Sequence, residues 1–294
     1  MTPRTHFDFA GKLLPLAEPH VMGILNLTVD SFSDGGELLV DGHLQLDAVL
    51  YRAASMVEAG AALLDLGGES TRPGAQGVSE QEELDRVLPV LEALRARFDV
   101  VLSLDTSSPP LMREGARLGA GLINDVRALS RAGALDAVRD TGLPVCLMHM
   151  QGEPRTMQQA PCYDDVLREV SEFLLGRAWH CLEAGIVADK LLLDPGFGFG
   201  KNLTHNLVLL QNLERLVEFG YPVLAGLSRK RMLGDITGHK EKARLFAGLA
   251  AAVIAVNQGA WIIRTHDVAA TVDAVKVCRA VALAGKDEKG ESKA

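Results

Sequence analysis

The chain is 294 residues long, 48% hydrophobic, and carries a formal net charge of −8. That apolar fraction suits a buried core and excludes a disordered chain, while the acidic balance argues against a general nucleic-acid binder, which needs a basic surface. No run of about 18 apolar residues occurs, so no membrane span is expected. The start, Met1-Thr2-Pro3-Arg4, leads into Phe7, Asp8 and Phe9 and not into an apolar signal core. Cys146, Cys162, Cys181 and Cys278 are scattered without a C-x-x-C pair. Neither a zinc site nor a disulfide framework is expected, and the cysteines fit a reducing cytoplasm.

Residues 1–19 precede the first strong strand signal and are expected to form a short extension. Gly11-Lys12 between two apolar stretches suggests a hairpin there. Eight strands are then expected, at 20–27, 62–68, 100–106, 122–126, 144–150, 190–197, 222–228 and 261–267. Runs such as Val145-Cys146-Leu147-Met148 and Leu191-Leu192-Leu193 are apolar at consecutive positions, as in strands of a parallel sheet buried on both faces. Amphipathic segments lie between them. One opens at Ser79 with Glu82 three residues on, a capping-box pattern, and places Leu84, Val87, Leu88 and Leu91 at helical spacing. A second spans 165–184 with Gly185 as its C-cap, and the last covers about 269–283. Strand and helix alternating eight times point to an α/β fold, a single (β/α)8 TIM barrel over residues 20–284. A doubly wound open sheet is the alternative. The charged segment 285–294 is expected to fray without function.

The unusual polar residues fall at the C-terminal strand ends. Asn26 and Thr28 follow the first strand, Glu69-Ser70-Thr71-Arg72-Pro73-Gly74 the second, and Asp105-Thr106 end the third. Asn124-Asp125, His149 and Asp194-Pro195-Gly196 belong to the next three, Ser228-Arg229-Lys230 to the seventh and Arg264-Thr265-His266-Asp267 to the eighth. In a barrel these ends converge on one mouth, where such enzymes place their active sites. A single Asp, Ser or Thr after a strand is readily explained as a helix cap; eight strand ends at once, with Lys, Arg and His among them, are not. Segments 28–36 and 69–77 are longer than the usual two to six or so residues of such loops and are expected to close over a ligand. Gly196-Phe197-Gly198-Phe199-Gly200-Lys201 is not a phosphate loop, because Asn202 stands where that motif needs Ser or Thr. Its glycines are expected to turn the chain sharply and hold Phe199 over the mouth.

Several of these stretches resemble the signatures of the dihydropteroate synthases, a family of pterin-binding TIM barrels. They are Val21-Met22-Gly23-Ile24-Leu25-Asn26 with Asp30-Ser31-Phe32-Ser33-Asp34-Gly35-Gly36, then Gly67 to Gly74, Asp194 to Lys201, Ser228-Arg229-Lys230 and Arg264 to Asp267. The resemblance spans residues 20–284, with Val29 where the family usually has proline. It implies condensation of 6-hydroxymethyl-7,8-dihydropterin pyrophosphate with p-aminobenzoate, releasing pyrophosphate. It implies that Asp105, Asn124 and Asp194 read the pterin edge beside Met148, and that Lys230 donates to the ring. Arg264 and His266 would hold the pyrophosphate, with Mg2+ on Asn26. Asp34 would stabilise the developing cation, and Thr71, Arg72, Pro73, Phe199 and Lys230 would shape the p-aminobenzoate slot. A homodimer, small-molecule substrates, a cytoplasmic setting and a role as a sulfonamide target are likewise implied. Two competing readings are a pterin barrel that passes a methyl group to a corrinoid, and a non-catalytic pterin-binding protein.

Overall fold

The computed structural model of the protein describes residues 4–28, 39–40, 43–70, 77–154 and 156–291. It opens with the expected hairpin, β1 (His6–Phe9) and β2 (Lys12–Pro15), with Phe9 opposite Lys12. The turn residues Ala10 (φ 52°) and Gly11 (φ 95°) are both left-handed, the geometry that matches the twist of a two-residue hairpin.

The barrel begins at β3 (His20–Asn26), followed by a small antiparallel pair, β4 (Leu39–Val40) and β5 (His43–Leu44), and by α1 (Leu46–Glu58). Next come β6 (Leu63–Gly67) and α2 (Glu80–Arg97). The capping box starts α2 as the sequence predicts: Glu82 N donates to Ser79 Oγ at 3.2 Å and Ser79 N to Glu82 Oε2 at 2.8 Å. Then follow β7 (Val101–Asp105), α3 (Pro109–Arg117), β8 (Leu122–Asp125), α4 (Ala134–Thr141) and β9 (Val145–Met148). Two prolines open α3, where a missing N–H leaves nothing unpaired. Asp165 caps α5 (Val166–Glu183) by accepting from Arg168 N at 3.0 Å. The remaining units are β10 (Leu191–Asp194) with α6 (Leu203–Gln211) and α7 (Glu214–Val217), β11 (Leu224–Gly226) with α8 (Arg231–Thr237) and α9 (Leu245–Asn257), and β12 (Ile262–Thr265) with α10 (Val268–Glu291).

Eight strands pair in parallel in the order β10-β9-β8-β7-β6-β3-β12-β11. The two ends of that order meet at a parallel bridge between Leu193 and Val223, with Leu193 N donating to Pro222 O at 3.0 Å. The sheet is therefore closed, and the open doubly wound alternative falls. At the C-terminus the backbone of α10 runs to Glu291, within the segment 285–294 expected to fray. Lys286, Glu288 and Lys289 there are good helix formers, whereas Gly285 and Gly290 are poor ones.

Side chains alternate across each strand, and the inward set changes character along the barrel. The lower layer, Met22, Leu63, Val101, Leu122, Cys146, Leu192, Leu224 and Ile262, is buried and apolar. Phe7 and Phe9 of the hairpin join it from below, and Phe9 stacks on Trp261 with ring centroids 5.9 Å apart. Two residues further along, the same strands carry Ile24, Asp65, Ser103, Asn124, Met148, Asp194, Gly226 and Arg264. The barrel is thus sealed with hydrocarbon at its N-terminal end and turns polar halfway up.

Candidate active site

At the C-terminal mouth the barrel opens into a cavity of about 610 Å3, lined among others by Asn26, Asp105, Phe199, Lys230, Arg264 and His266. Each comes from the end of a strand or the loop after it. Asn124, Met148 and Asp194 sit on adjacent strand ends in the barrel interior, all nearly buried. The eight strands therefore bring Asn26, Asp105, Asn124, Met148, Asp194, Phe199, Lys230, Arg264 and His266 to one mouth. Asp34, Thr71, Arg72 and Pro73 lie outside the described residues, as do Val29 and most of the two long loops.

The floor is organised by Arg264. Its Nε donates to Asp65 Oδ2 at 2.6 Å and its Nη2 to Asp105 Oδ2 at 2.7 Å. Asp65 is fully buried and also accepts from Ser103 Oγ at 2.5 Å and Asn124 Nδ2 at 3.1 Å. A buried charge needs such partners. Burial works against the guanidinium's charge, but Asp65 and Asp105 outweigh it and hold the Arg264 pKa above its ordinary value. Burial dominates at Asp105 and pushes its carboxyl up to about 7, against the pull of Arg264. Asp194 is also raised by burial, although Gly196 N donates to its Oδ1 at 2.7 Å and Lys230 and Arg264 oppose the shift. Asp65 and Ser103 were missed by the sequence reading. The available signal was a lone carboxylate between leucines in Leu63-Leu64-Asp65-Leu66.

The rim is tied together across two loops. His266 N donates to Ser228 Oγ at 3.2 Å, and His266 Nδ1 lies 3.1 Å from the same oxygen. Arg229, strained at φ 57°, donates to Asp267 from Nε at 3.1 Å and Nη2 at 2.6 Å. A left-handed arginine persists only where its surroundings fix it, and this forked ion pair fixes the backbone just before Lys230. The Lys230 ammonium lies 4.3 Å above the centre of the Phe199 ring. Among the described residues no group of three or more His, Cys, Asp or Glu side chains is arranged to hold a metal ion. No helix of the described residues is long and apolar enough to cross a membrane.

A closed barrel with a polar, cation-bearing pocket at its C-terminal mouth defines a (β/α)8 enzyme for an anionic, hydrogen-bonding ligand. The family model for pterin binding enzymes matches residues 22–266. The dihydropteroate synthase of Escherichia coli K12 is 54% identical over 279 residues, 95% of this chain and 97% of that protein. The structure of Yersinia pestis dihydropteroate synthase in complex with a sulfonamide drug superposes with a TM-score of 0.90 at 54% identity, covering 94% of this chain and 98% of the other. The Xanthomonas albilineans dihydropteroate synthase with 4-aminobenzoic acid gives 0.87 at 50% identity over 95% of this chain and 98% of that one. The chain belongs to the pterin-binding enzymes and, within them, to the dihydropteroate synthase family.

Proposed function

We propose that this cavity condenses 6-hydroxymethyl-7,8-dihydropterin pyrophosphate with p-aminobenzoate, giving 7,8-dihydropteroate and pyrophosphate. The observation that carries the reading is the buried pair Asn124 and Asp194 below a cavity lined by Asp105, Arg264, His266 and Lys230. A pterin ring presents a flat edge of donors and acceptors. Carboxylates accept from its ring N–H and exocyclic amine, and an amide both donates and accepts. In a dry pocket a ligand without those groups leaves buried partners unpaired and is rejected.

The pyrophosphate end of the substrate falls to Arg264 and His266, beside Asn26. An amide oxygen on the cavity wall, with no cage of carboxylates among the described residues, suits Mg2+, which keeps several waters and binds largely through substrate phosphates. Asn26 would hold it, and the ion when bound would neutralise charge on the leaving pyrophosphate. The remaining chemistry is electrostatic positioning. The C–O bond breaks with its electron pair going to pyrophosphate, and positive charge grows on the pterin methylene carbon, where Asp34 acts as counter-charge. The arylamine lone pair then forms the C–N bond and the nitrogen sheds a proton to solvent. Thr71, Arg72, Pro73, Phe199 and Lys230 shape the arylamine slot, and no covalent enzyme intermediate is needed.

The acidic surface gives no support to a nucleic-acid partner. Exposed apolar side chains on the outer helices, Phe246 in α9 and Val277 and Val281 in α10, favour pairing with a second copy, and reduced, scattered cysteines suit the cytoplasm. Release of pyrophosphate that depends on p-aminobenzoate tests the reading. A corrinoid methyltransferase or a pterin carrier would give none.

A further inference from the structure

The loop 196–201 carries Phe199 to the mouth without regular secondary structure. Its glycines are left-handed, Gly196 at φ 68°, Gly198 at 80° and Gly200 at 61°. A Cβ at Gly196 or Gly200 would collide with the carbonyl oxygens of His149 and Gln151, so the loop is pressed directly onto the segment after β9. A loop folded this tightly must pair its own backbone carbonyls.

Lys201 does most of that pairing. Its side chain turns inward and is 3% exposed. Nζ reaches Gly196 O at 3.0 Å, Phe199 O at 3.0 Å and His149 Nδ1 at 2.8 Å. Burial lowers the pKa of this ammonium to about 7; in its charged form it has three protons, and each finds an acceptor. Burial and the neighbouring Lys201 push His149 down to about 3, so its ring is neutral and offers a lone pair. The other loop carbonyls are paired from segment 150–165: Gly198 O accepts from Gln158 Nε2, and Gly200 O accepts from Tyr163 Oη at 2.8 Å. Gly198 N donates to Asn206 Oδ1 at 2.8 Å. The carbonyls of residues 196, 198, 199 and 200 are thus held by side chains, two of them by one lysine.

We infer that Lys201, backed by His149 and Tyr163, is a positioning residue that fixes Phe199 and Lys230 as the two walls of the arylamine slot. The inference rests on the assignment of those two residues to that slot. Lys201 touches neither ring nor ammonium; it acts through the loop, whose Gly198 packs so closely on Lys230 that a Cβ there would meet its Cδ at 3.2 Å. A lysine serving only to hold the fold together would affect both substrates alike. A positioning lysine affects the arylamine selectively.

Steady-state kinetics on Lys201→Met and Tyr163→Phe separate the two. Tyr163→Phe removes one hydroxyl bond and keeps the ring, so it folds even where Lys201→Met does not. It is expected to raise the KM for p-aminobenzoate about five-fold, the equivalent of one ordinary hydrogen bond, with kcat and the KM for the pterin pyrophosphate within about two-fold of the parent. Lys201→Met is expected to raise the p-aminobenzoate KM at least about ten-fold, more than that of the pterin substrate. Equal changes in both KM values, or none in Tyr163→Phe, would overturn the inference. Absence of turnover in the parent would instead overturn the synthase reading on which it rests.

Discussion

Arg264 and Asp65 stand 2.6 Å apart inside the barrel although 199 residues separate them in sequence. With Asp105 on its other nitrogen, the guanidinium is clamped at the junction of the apolar lower layer and the polar mouth. Asp65 is beyond reach of solvent and does not line the cavity. Its contribution is to hold the Arg264 guanidinium in place, which under the proposed function orients it for an anion above. Removing Asp65 leaves Arg264 with Asp105 alone, and losing a hydrogen bond to a charged group costs about 1.5–3 kcal/mol. Asp65→Asn should therefore lower the unfolding free energy by about that much in a denaturant titration, and raise the KM for the pterin pyrophosphate. A variant with parent stability and kinetics would remove Asp65 from the account.

Asn26 carries the metal proposal. Asn26→Ala should leave the denaturation midpoint within experimental scatter and lower kcat by about 10²–10³, the usual cost of a lost charge-stabilising contact. A Mg2+ titration of the variant should show no recovery at low millimolar metal. Full activity with unchanged Mg2+ dependence would exclude the role.

Asp194 tests the pterin site. Its carboxylate accepts from Gly196 N at 2.7 Å, and a carboxylate has acceptor sites to spare. Asp194→Asn puts an amide in its place, and the mismatch with a pterin N–H should weaken pterin binding by about 1–3 kcal/mol. Calorimetry with the free pterin measures this directly. Equal affinity in parent and variant would make Asp194 only the support of the Gly196 turn.

Glu83 in α2 links stability to pH. It is 4% exposed, accepts from Thr106 Oγ1 at 2.7 Å, and is raised by burial from 4.5 to about 7. Between those values the folded protein keeps a proton that the unfolded chain has released, so stability falls as pH rises through that window and the loss is complete above about 7. The shift corresponds to at most about 3 kcal/mol. Glu83→Gln, which stays neutral, should match the parent near pH 4 and exceed it near pH 8, and denaturant midpoints across that range measure the difference. Parallel stability profiles would contradict the assignment.

The eight strands were legible because strands buried on both faces are apolar at successive positions, as in Leu191-Leu192-Leu193. Their ends were less so. Residues 222–228 read as a strand, yet β11 is Leu224–Gly226, because the barrel closes beside it through the single Leu193–Val223 bridge. The polar strand ends pointed to one mouth as soon as a barrel was inferred. Asp65 gained meaning only when its partner was known, since Arg264 stands on β12, beyond the intervening strand β3 and 199 positions along the chain. Lys201 looked like part of an imperfect phosphate motif. The fold turns it inward onto carbonyls of its own loop, a contact that the spacing of glycines does not reveal.

If segments 28–36 and 69–77 close over the pyrophosphate anion, as their length and position in the sequence predict, the anion completes the slot for the arylamine. Calorimetric titration of p-aminobenzoate, with and without pyrophosphate and Mg2+, tests it most directly. Apparent affinity scales with the fraction of protein in the competent state. Binding should be weak to the protein alone and at least about ten-fold tighter with the anion and metal present. The same affinity under both conditions would contradict the claim.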